Sequence, residues 1–471
     1  MNATTDAHQQ FERMTQTPIP RLICSLAGPT IVSMLISAGY NLADTYFVGQ
    51  LGTSATGAVG VVFSLMAIIQ AVGFTLGMGS GGVISRFLGE KRNTEAAEAA
   101  STAFFTAILI GFVIMIPGLI FSDDLMRLLG ATDTILPYAQ NYAQYILYGA
   151  PIMCATFVMN NDLRAEGKAF FSMIGISVGC ILNVALDPLM IFTFHLGIAG
   201  AAIATVIGQC VSFVILIFNY VRHRTIVGIN IKYFSYKWRM HSEILRTGMP
   251  SFFRQGLASV ATIALNVSAA VYGDAAVAAM SIVGRSFFFI LSALLGFGQG
   301  FQPVAGYNYG AKCYARLKQA YWFCLRVGFF GLLVLCSAAF IFAPQIIALF
   351  RRDDPQVIAI GAFAFRAQCA IMPLEAFVVI SNMLFQSIGK AKQATWIAIL
   401  RQGLCFLPMI LTLPRFFGIL GVQLSQPAAD CFSFVVALFI TIPFLRTLNG
   451  MIRSGSCPAE EDAGEMDNTE S

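Results

Sequence analysis

The chain has 471 residues, of which 57% are hydrophobic and 11% charged, with a net charge of +5; a water-soluble domain carries about 25% charge, so a soluble globule is excluded. The apolar residues fall in about a dozen runs, each long enough to cross a hydrocarbon core of about 30 Å at 1.5 Å per residue. There are no ten-residue alternating segments of the kind a membrane barrel needs, which leaves helices to satisfy the backbone in lipid.

In chain order the runs lie at about 22–48, 56–84, 100–121, 137–161, 170–194, 198–221, 248–272, 276–306, 322–350, 357–386, 394–413 and 418–446. The spacing predicts an all-α polytopic membrane protein with twelve transmembrane helices. Met1 to Pro20 is polar and the first run is too long for a cleavable signal, so the first span is expected to remain in the mature protein. Residues 1–20 are then a cytoplasmic N-terminal segment, 21–221 a first lobe, 222–247 a basic linker, 248–450 a second lobe and 451–471 a disordered acidic tail. Loops after even-numbered spans hold sixteen Lys and Arg, whereas odd loops hold four, Arg127, Arg351, Arg352 and Arg415. Positive charge stays on the cytoplasmic side, so both termini are expected there. The same asymmetry explains the net charge and gives no support for nucleic-acid binding. The eleven cysteines are scattered without a CxxC or metal-ligand spacing and read as small buried hydrophobes.

A shift of 221 residues superposes Pro29 on Pro250, Gly52 on Gly273, Gly77 on Gly298, Gly79 on Gly300, Gly89 on Gly310 and Lys91 on Lys312. After a one-residue gap, Pro151, Asn160, Gly167 and Lys168 fall on Pro373, Asn382, Gly389 and Lys390; the gap then closes, and Gly197 and Gly200 meet Gly418 and Gly421. Spans one to six and seven to twelve are duplicated halves. An even number of spans per half makes the repeat parallel, and two such lobes can rock about a central cavity, which is alternating access.

Ionisable groups inside lipid are costly and mark function by default. Asp44 lies roughly 9 Å below the outer end of the first span, Asp187 roughly 12 Å below that of the fifth, and Thr205 about as deep in the sixth. The three can converge inside the first lobe. Asn183 shares a helix face with Asp187, and Pro188 frees the carbonyl of Val184. Oxygen ligands of this kind suit sodium, whereas two carboxylates held close resist joint ionisation and admit a proton. Asp44 and Asp187 are thus candidates to hold Na+ or H+; the alternative is that they only cap or brace helices. In the second lobe Arg254, Arg285, Glu375 and Asp430 lie at apparent membrane depth, and their mixed signs point to a buried ion-pair network with Glu375 and Asp430 as secondary coupling candidates. Met34, Tyr40, Phe63, Met66, Met280 and Phe287 are candidates to line an adaptable apolar cleft.

The runs Asn41-Leu-Ala-Asp44-Thr-Tyr-Phe-Val-Gly49-Gln-Leu-Gly52, Arg164-Ala-Glu-Gly-Lys168, Asn183-Val-Ala-Leu-Asp187-Pro188 and Gly200-Ala-Ala-Ile-Ala-Thr205 resemble the MATE (multidrug and toxic compound extrusion) family, and its MepA-like bacterial branch in particular, over about residues 18 to 450. The resemblance implies two six-helix lobes around a central cleft in a bacterial cytoplasmic membrane, and export of cationic or amphiphilic drugs in exchange for protons or sodium ions. It also implies that the first-lobe coupling site falls on Asp44, Asn183, Asp187 and Thr205. Other branches place acidic residues in the seventh helix, where this chain has Arg254, Gln255 and Asn266.

Gly77, Gly79 and Gly82 fit a dinucleotide fingerprint, but no strand precedes them, so close helix packing is expected there. Gly167-Lys168 and Gly389-Lys390 lack the rest of a phosphate loop, and the four histidines are isolated. Neither an enzyme nor a cofactor is expected. The partners expected are small amphiphilic or cationic molecules and the bilayer, with the chain acting as a monomer. The competing functions are a flippase for a lipid-linked precursor, which calls for a strongly basic cavity or extra helices, and a membrane-embedded enzyme.

Overall fold

A computed structural model describes residues 3–51, 53–350 and 354–454, and these form helices and turns with no strand among them. The elements are α1 (Ala3–Gln16), α2 (Ile19–Gly49), α3 (Thr53–Gly89), α4 (Asn93–Ile120), α5 (Ser122–Leu128), α6 (Leu136–Ala165), α7 (Ala169–Pro188), α8 (Ile198–Val221), α9 (Trp238–Ala270), α10 (Asp274–Gly310), α11 (Tyr314–Ile341), α12 (Ala343–Phe350), α13 (Pro355–Ile371), α14 (Glu375–Ser387), α15 (Ala391–Ile399), α16 (Leu407–Phe417) and α17 (Ile419–Ser454). α7 runs on into a π turn at Leu189–Thr193, a second π segment at Leu400–Phe406 joins α15 to α16, and a 3-10 turn at Met372–Leu374 joins α13 to α14. Joined across these interruptions, the long helices make twelve spans among the described residues. Ten of them are long and apolar enough by themselves to cross a membrane. The chain is a multi-pass helical membrane protein.

Several boundaries differ from those the apolar runs predict. The polar N-terminal segment is helical, as α1. The run 322–350 is two helices, α11 and α12, and α9 starts at Trp238, ten residues inside the stretch expected to be linker. Arg239, Glu243 and Arg246 make that first part of α9 polar, and an apolar count cannot see a helix that extends a span into water. The expected tail begins within α17, and its residues 455–471 lie outside the described ones, as does Gly52.

What remains of the linker is fastened to the first half. The N–H groups of Asn230 and Ser235 donate to the hydroxyls of Ser101 and Thr102 on α4 at 3.1 and 3.0 Å. The Ile226 N–H donates to Glu166 Oε2 at 2.8 Å. Burial pushes the Glu166 carboxyl up to about 7, against the opposing pull of Lys168 and the Ile226 and Val227 amides.

The duplication can be followed in the backbone. Six of the ten residues with positive φ among the described ones form repeat pairs, Lys91 and Lys312 (59° and 60°), Gly167 and Gly389 (82° and 76°), and Gly197 and Gly418 (55° and 59°). Contacts between the halves also exchange under the shift. Gly79 of α3 abuts the backbone at Ile244 and Gly248 of α9, and its mate Gly300 of α10 abuts Ala27 of α2, the mate of Gly248. Gly89 abuts Tyr307, and Gly310 abuts Arg86, the mate of Tyr307. Each surface thus meets its own copy, as a pseudo-twofold requires. Small residues let α3 cross α9 and α10 cross α2 backbone to backbone. These crossings all lie toward one end of the helices. At the other end Tyr46 and Phe63 are exposed.

Where two backbones meet this closely, side-chain volume has nowhere to go. A Cβ on Gly248 would collide with the Thr75 carbonyl. Gly248→Val is expected to lower stability by about 1–3 kcal/mol, measured as unfolding in detergent, while Gly256→Ala, where nothing lies near the added carbon, should not lower it, since alanine suits a helix interior better than glycine.

Candidate functional site

Four helices bring polar groups together at one level of the first half. Asp44 sits five residues before the end of α2, Tyr142 six after the start of α6, Asp187 six before the end of the π turn that follows α7, and Thr205 seven after the start of α8. At 1.5 Å per residue all four lie about 8–11 Å from the same end of the bundle. Asp187, Asn183, Thr205 and Tyr142 are buried.

The hydrogen bonds link three of the predicted residues. With its amide oriented as the surrounding donors and acceptors require, Asn183 donates to Asp187 Oδ2 at 3.1 Å and accepts from the Thr205 N–H at 3.0 Å and the Thr205 hydroxyl at 3.2 Å. The hydroxyls of Tyr40 and Tyr142 both approach the Thr205 hydroxyl. Asp44 is within electrostatic reach of Asp187. One oxygen of each acid, Asp44 Oδ1 and Asp187 Oδ1, is buried with no hydrogen-bond partner. Orphaned buried carboxylate oxygens are rare in proteins and require an explanation. The surrounding set of carboxylate, amide and hydroxyl oxygens has the chemistry of a hard-cation or proton site. Among the described residues no cluster of three His, Cys, Asp or Glu side chains could hold a heavier metal.

Pro188 cannot donate, and the helix answers by widening into the π turn just beyond Asp187. Such single π turns recur where helices carry functional groups. The other π segment lies in the corresponding helix of the second half and carries Arg401.

In that half Glu375 and Asp430 are both buried, and the cation they share is Arg401. Its Nε lies 3.1 Å from Glu375 Oε2 and 3.2 Å from Asp430 Oδ1. Gln368 and Gln426 donate to Asp430 at 2.6 and 2.7 Å, and the guanidinium lies 5.3 Å from the centre of the Phe287 ring. Arg254 is a like-charged neighbour of Arg401 and Arg285 is exposed, so neither forms the pair that their depth suggested. The cation came instead from the middle of a span whose apolar count had hidden it.

The other candidates are spread out. Tyr40 joins the first-half cluster, and Met34, on the same helix, is half-buried. Phe63 is exposed, Met66 is buried in an apolar cluster that runs across both halves and Met280 in one within the second half, and Phe287 lies under Arg401. Tyr142 was missed, though its depth below the end of α6 matches that of Asp44. Tyr142→Phe removes a hydroxyl from beside Thr205 and is expected to lower stability by about 1 kcal/mol, the worth of one hydrogen bond, read as unfolding in detergent.

The family model MatE matches the chain twice, at residues 29–189 and 250–411. The matches begin 221 residues apart and end 222 apart, the shift of the internal repeat with its one-residue gap. The multidrug export protein MepA of Staphylococcus aureus is 28% identical over 433 residues, 92% of this chain and 95% of its own. The protein of the same name from Staphylococcus haemolyticus is 27% identical over 436 residues. Among solved structures, a MATE in complex with MaL6 superposes with a TM-score of 0.89 at 27% identity, covering 93% of this chain and 99% of that one. An outward-facing multidrug resistance MATE family transporter gives 0.88 at the same identity, covering 93% and 98%.

Proposed function

This chain belongs to the MatE family, and from that premise we propose that it is a secondary active antiporter that exports cationic or amphiphilic small molecules in exchange for protons or sodium ions. The multidrug exporters among its relatives support the substrate class. The observation that carries the exchange is the pair of buried, unpartnered oxygens on Asp44 and Asp187. A cation or proton satisfies them, and a charged acid pair left bare in lipid is costly. The bundle is therefore stable with the ion bound, or with a cationic cargo held close enough to replace it.

The two lobes, 21–221 and 248–450, supply the movement. Their close crossings lie at one end, so opening that end parts α3 from α9 and α2 from α10 while the other end closes. We place the crossings on the cytoplasmic side, with both termini, because the basic loops lie there. The molecule then faces outward, like one of its structural relatives. No ATP, cofactor or covalent chemistry enters this cycle, and a single chain completes it.

Purified protein in vesicles, given a fluorescent organic cation and either a proton or a sodium gradient, tests the proposal. Dye is expected to move against its own gradient under at least one of the two. If it moves under neither, antiport is wrong.

A further inference from the structure

We propose that the cavity between α1 and the turn joining α6 to α7 is a binding site for the phosphate-bearing headgroup of an anionic phospholipid. The cavity has a volume of about 220 Å3, and its walls include Arg13 of α1, Ser25 of α2, and Lys168, Phe170 and Phe171 at the start of α7. It therefore lies where two membrane spans begin, at the level of lipid phosphates rather than of acyl chains. Phe170 is 57% exposed beside it, an apolar surface at the same level.

The charge at this level is positive. The Lys168 ammonium donates to the Arg224 carbonyl, which leaves further protons to give. The Arg224 guanidinium sits 5.9 Å from the centre of the Phe171 ring, so a third cation flanks the wall. The nearby acids have other partners, although Glu166 still lies within electrostatic reach of Lys168. Glu166 accepts from the Ile226 N–H, and Glu12 pairs with His8 at 3.4 Å. Basic groups at a membrane surface attract anionic lipids, and a phosphate accepts hydrogen bonds from several of them at once.

The internal repeat supplies a control. Lys390 is the mate of Lys168, but its ammonium lies over the Phe444 ring at 4.6 Å. The same Gly-Lys turn is therefore spent on packing in the second half. The α1 wall also has a structural role. Gln10 donates to the Glu166 carbonyl of the first half at 2.9 Å, and Asn308 of the second half donates to the Met14 carbonyl at 3.2 Å. A lipid held against α1 thus steadies an element that bridges both halves. The orientation proposed above decides only which leaflet supplies the lipid.

The test is native mass spectrometry of the purified full chain incubated with phosphatidylglycerol or phosphatidylcholine. Phosphatidylglycerol is expected to stay bound and phosphatidylcholine to be lost. Arg13→Ala with Lys168→Ala should lower retained phosphatidylglycerol at least about tenfold, Arg13→Lys with Lys168→Arg should keep it, and Lys390→Ala should change nothing. Equal retention in the alanine variant overturns the proposal. So does an equal loss in Lys390→Ala, or displacement of the lipid by inorganic phosphate at matching concentration, which would mark a site for free anions. If the double variant does not purify as a single species, Arg13→Ala alone, on an exposed side chain, is read by the same outcomes.

Discussion

Asp187→Asn is expected to reduce gradient-driven efflux to the level of vesicles without protein, while the variant inserts and purifies like the parent. The side chain is fully buried, its Oδ2 is held by Asn183, and its Oδ1 has no partner. Asparagine keeps the size and an acceptor oxygen, so Asn183 still has a group to donate to, and the fold loses little. What disappears is the negative charge, without which a cation has no reason to leave water and a proton has nowhere to bind. Asp44→Asn should follow it, because the two acids act on one another. A pure bracing role predicts the opposite pattern, reduced stability with efflux per folded molecule unchanged. Efflux assays in vesicles, set beside unfolding curves of the same preparations, separate the two.

Arg401→Leu is expected to have the largest effect on stability. The guanidinium is the only cation paired with Glu375 and Asp430 among the described residues. Removing it leaves two carboxylates of like charge in a buried site, and breaking such a pair costs about 3–5 kcal/mol. The loss comes from the uncompensated acids rather than from missing contacts. Adding Glu375→Gln and Asp430→Asn to Arg401→Leu should therefore restore most of the stability, as judged by unfolding in detergent. A triple variant as unstable as the single one would mean that the packing of Arg401 on Phe287, and not charge, is what matters.

The apolar runs and the repeat were legible because lipid imposes one rule on every span: the backbone must be satisfied internally and the side chains must be apolar. The same rule brought out Asp44 and Asp187. Asn183 and Thr205 could be read only from their spacing and depth relative to those acids. Tyr142 was hidden because a tyrosine costs little in an apolar span and is conspicuous only by its depth. Arg401 should have been visible as a mid-span charge, yet Arg254 and Arg285 drew the pairing because depth alone does not say which way a side chain faces. α1 and the first turns of α9 escaped for the converse reason: they are helices in a polar setting, and hydrophobicity does not delimit them. The π turn after Asp187 was foreshadowed by Pro188, and its counterpart at Leu400–Phe406 by Pro408, which frees the carbonyl of Leu404 within it.

Ion and cargo should be recorded together in the same vesicles, for the parent and for Asp44→Asn with Asp187→Asn. In the parent, each movement of the organic cation is expected to bring an opposite movement of protons or sodium, and reversing the ion gradient should reverse the dye. In the double variant both coupled fluxes should vanish. Dye transport that still follows the ion gradient without these two acids would contradict the assignment of the exchange to this site.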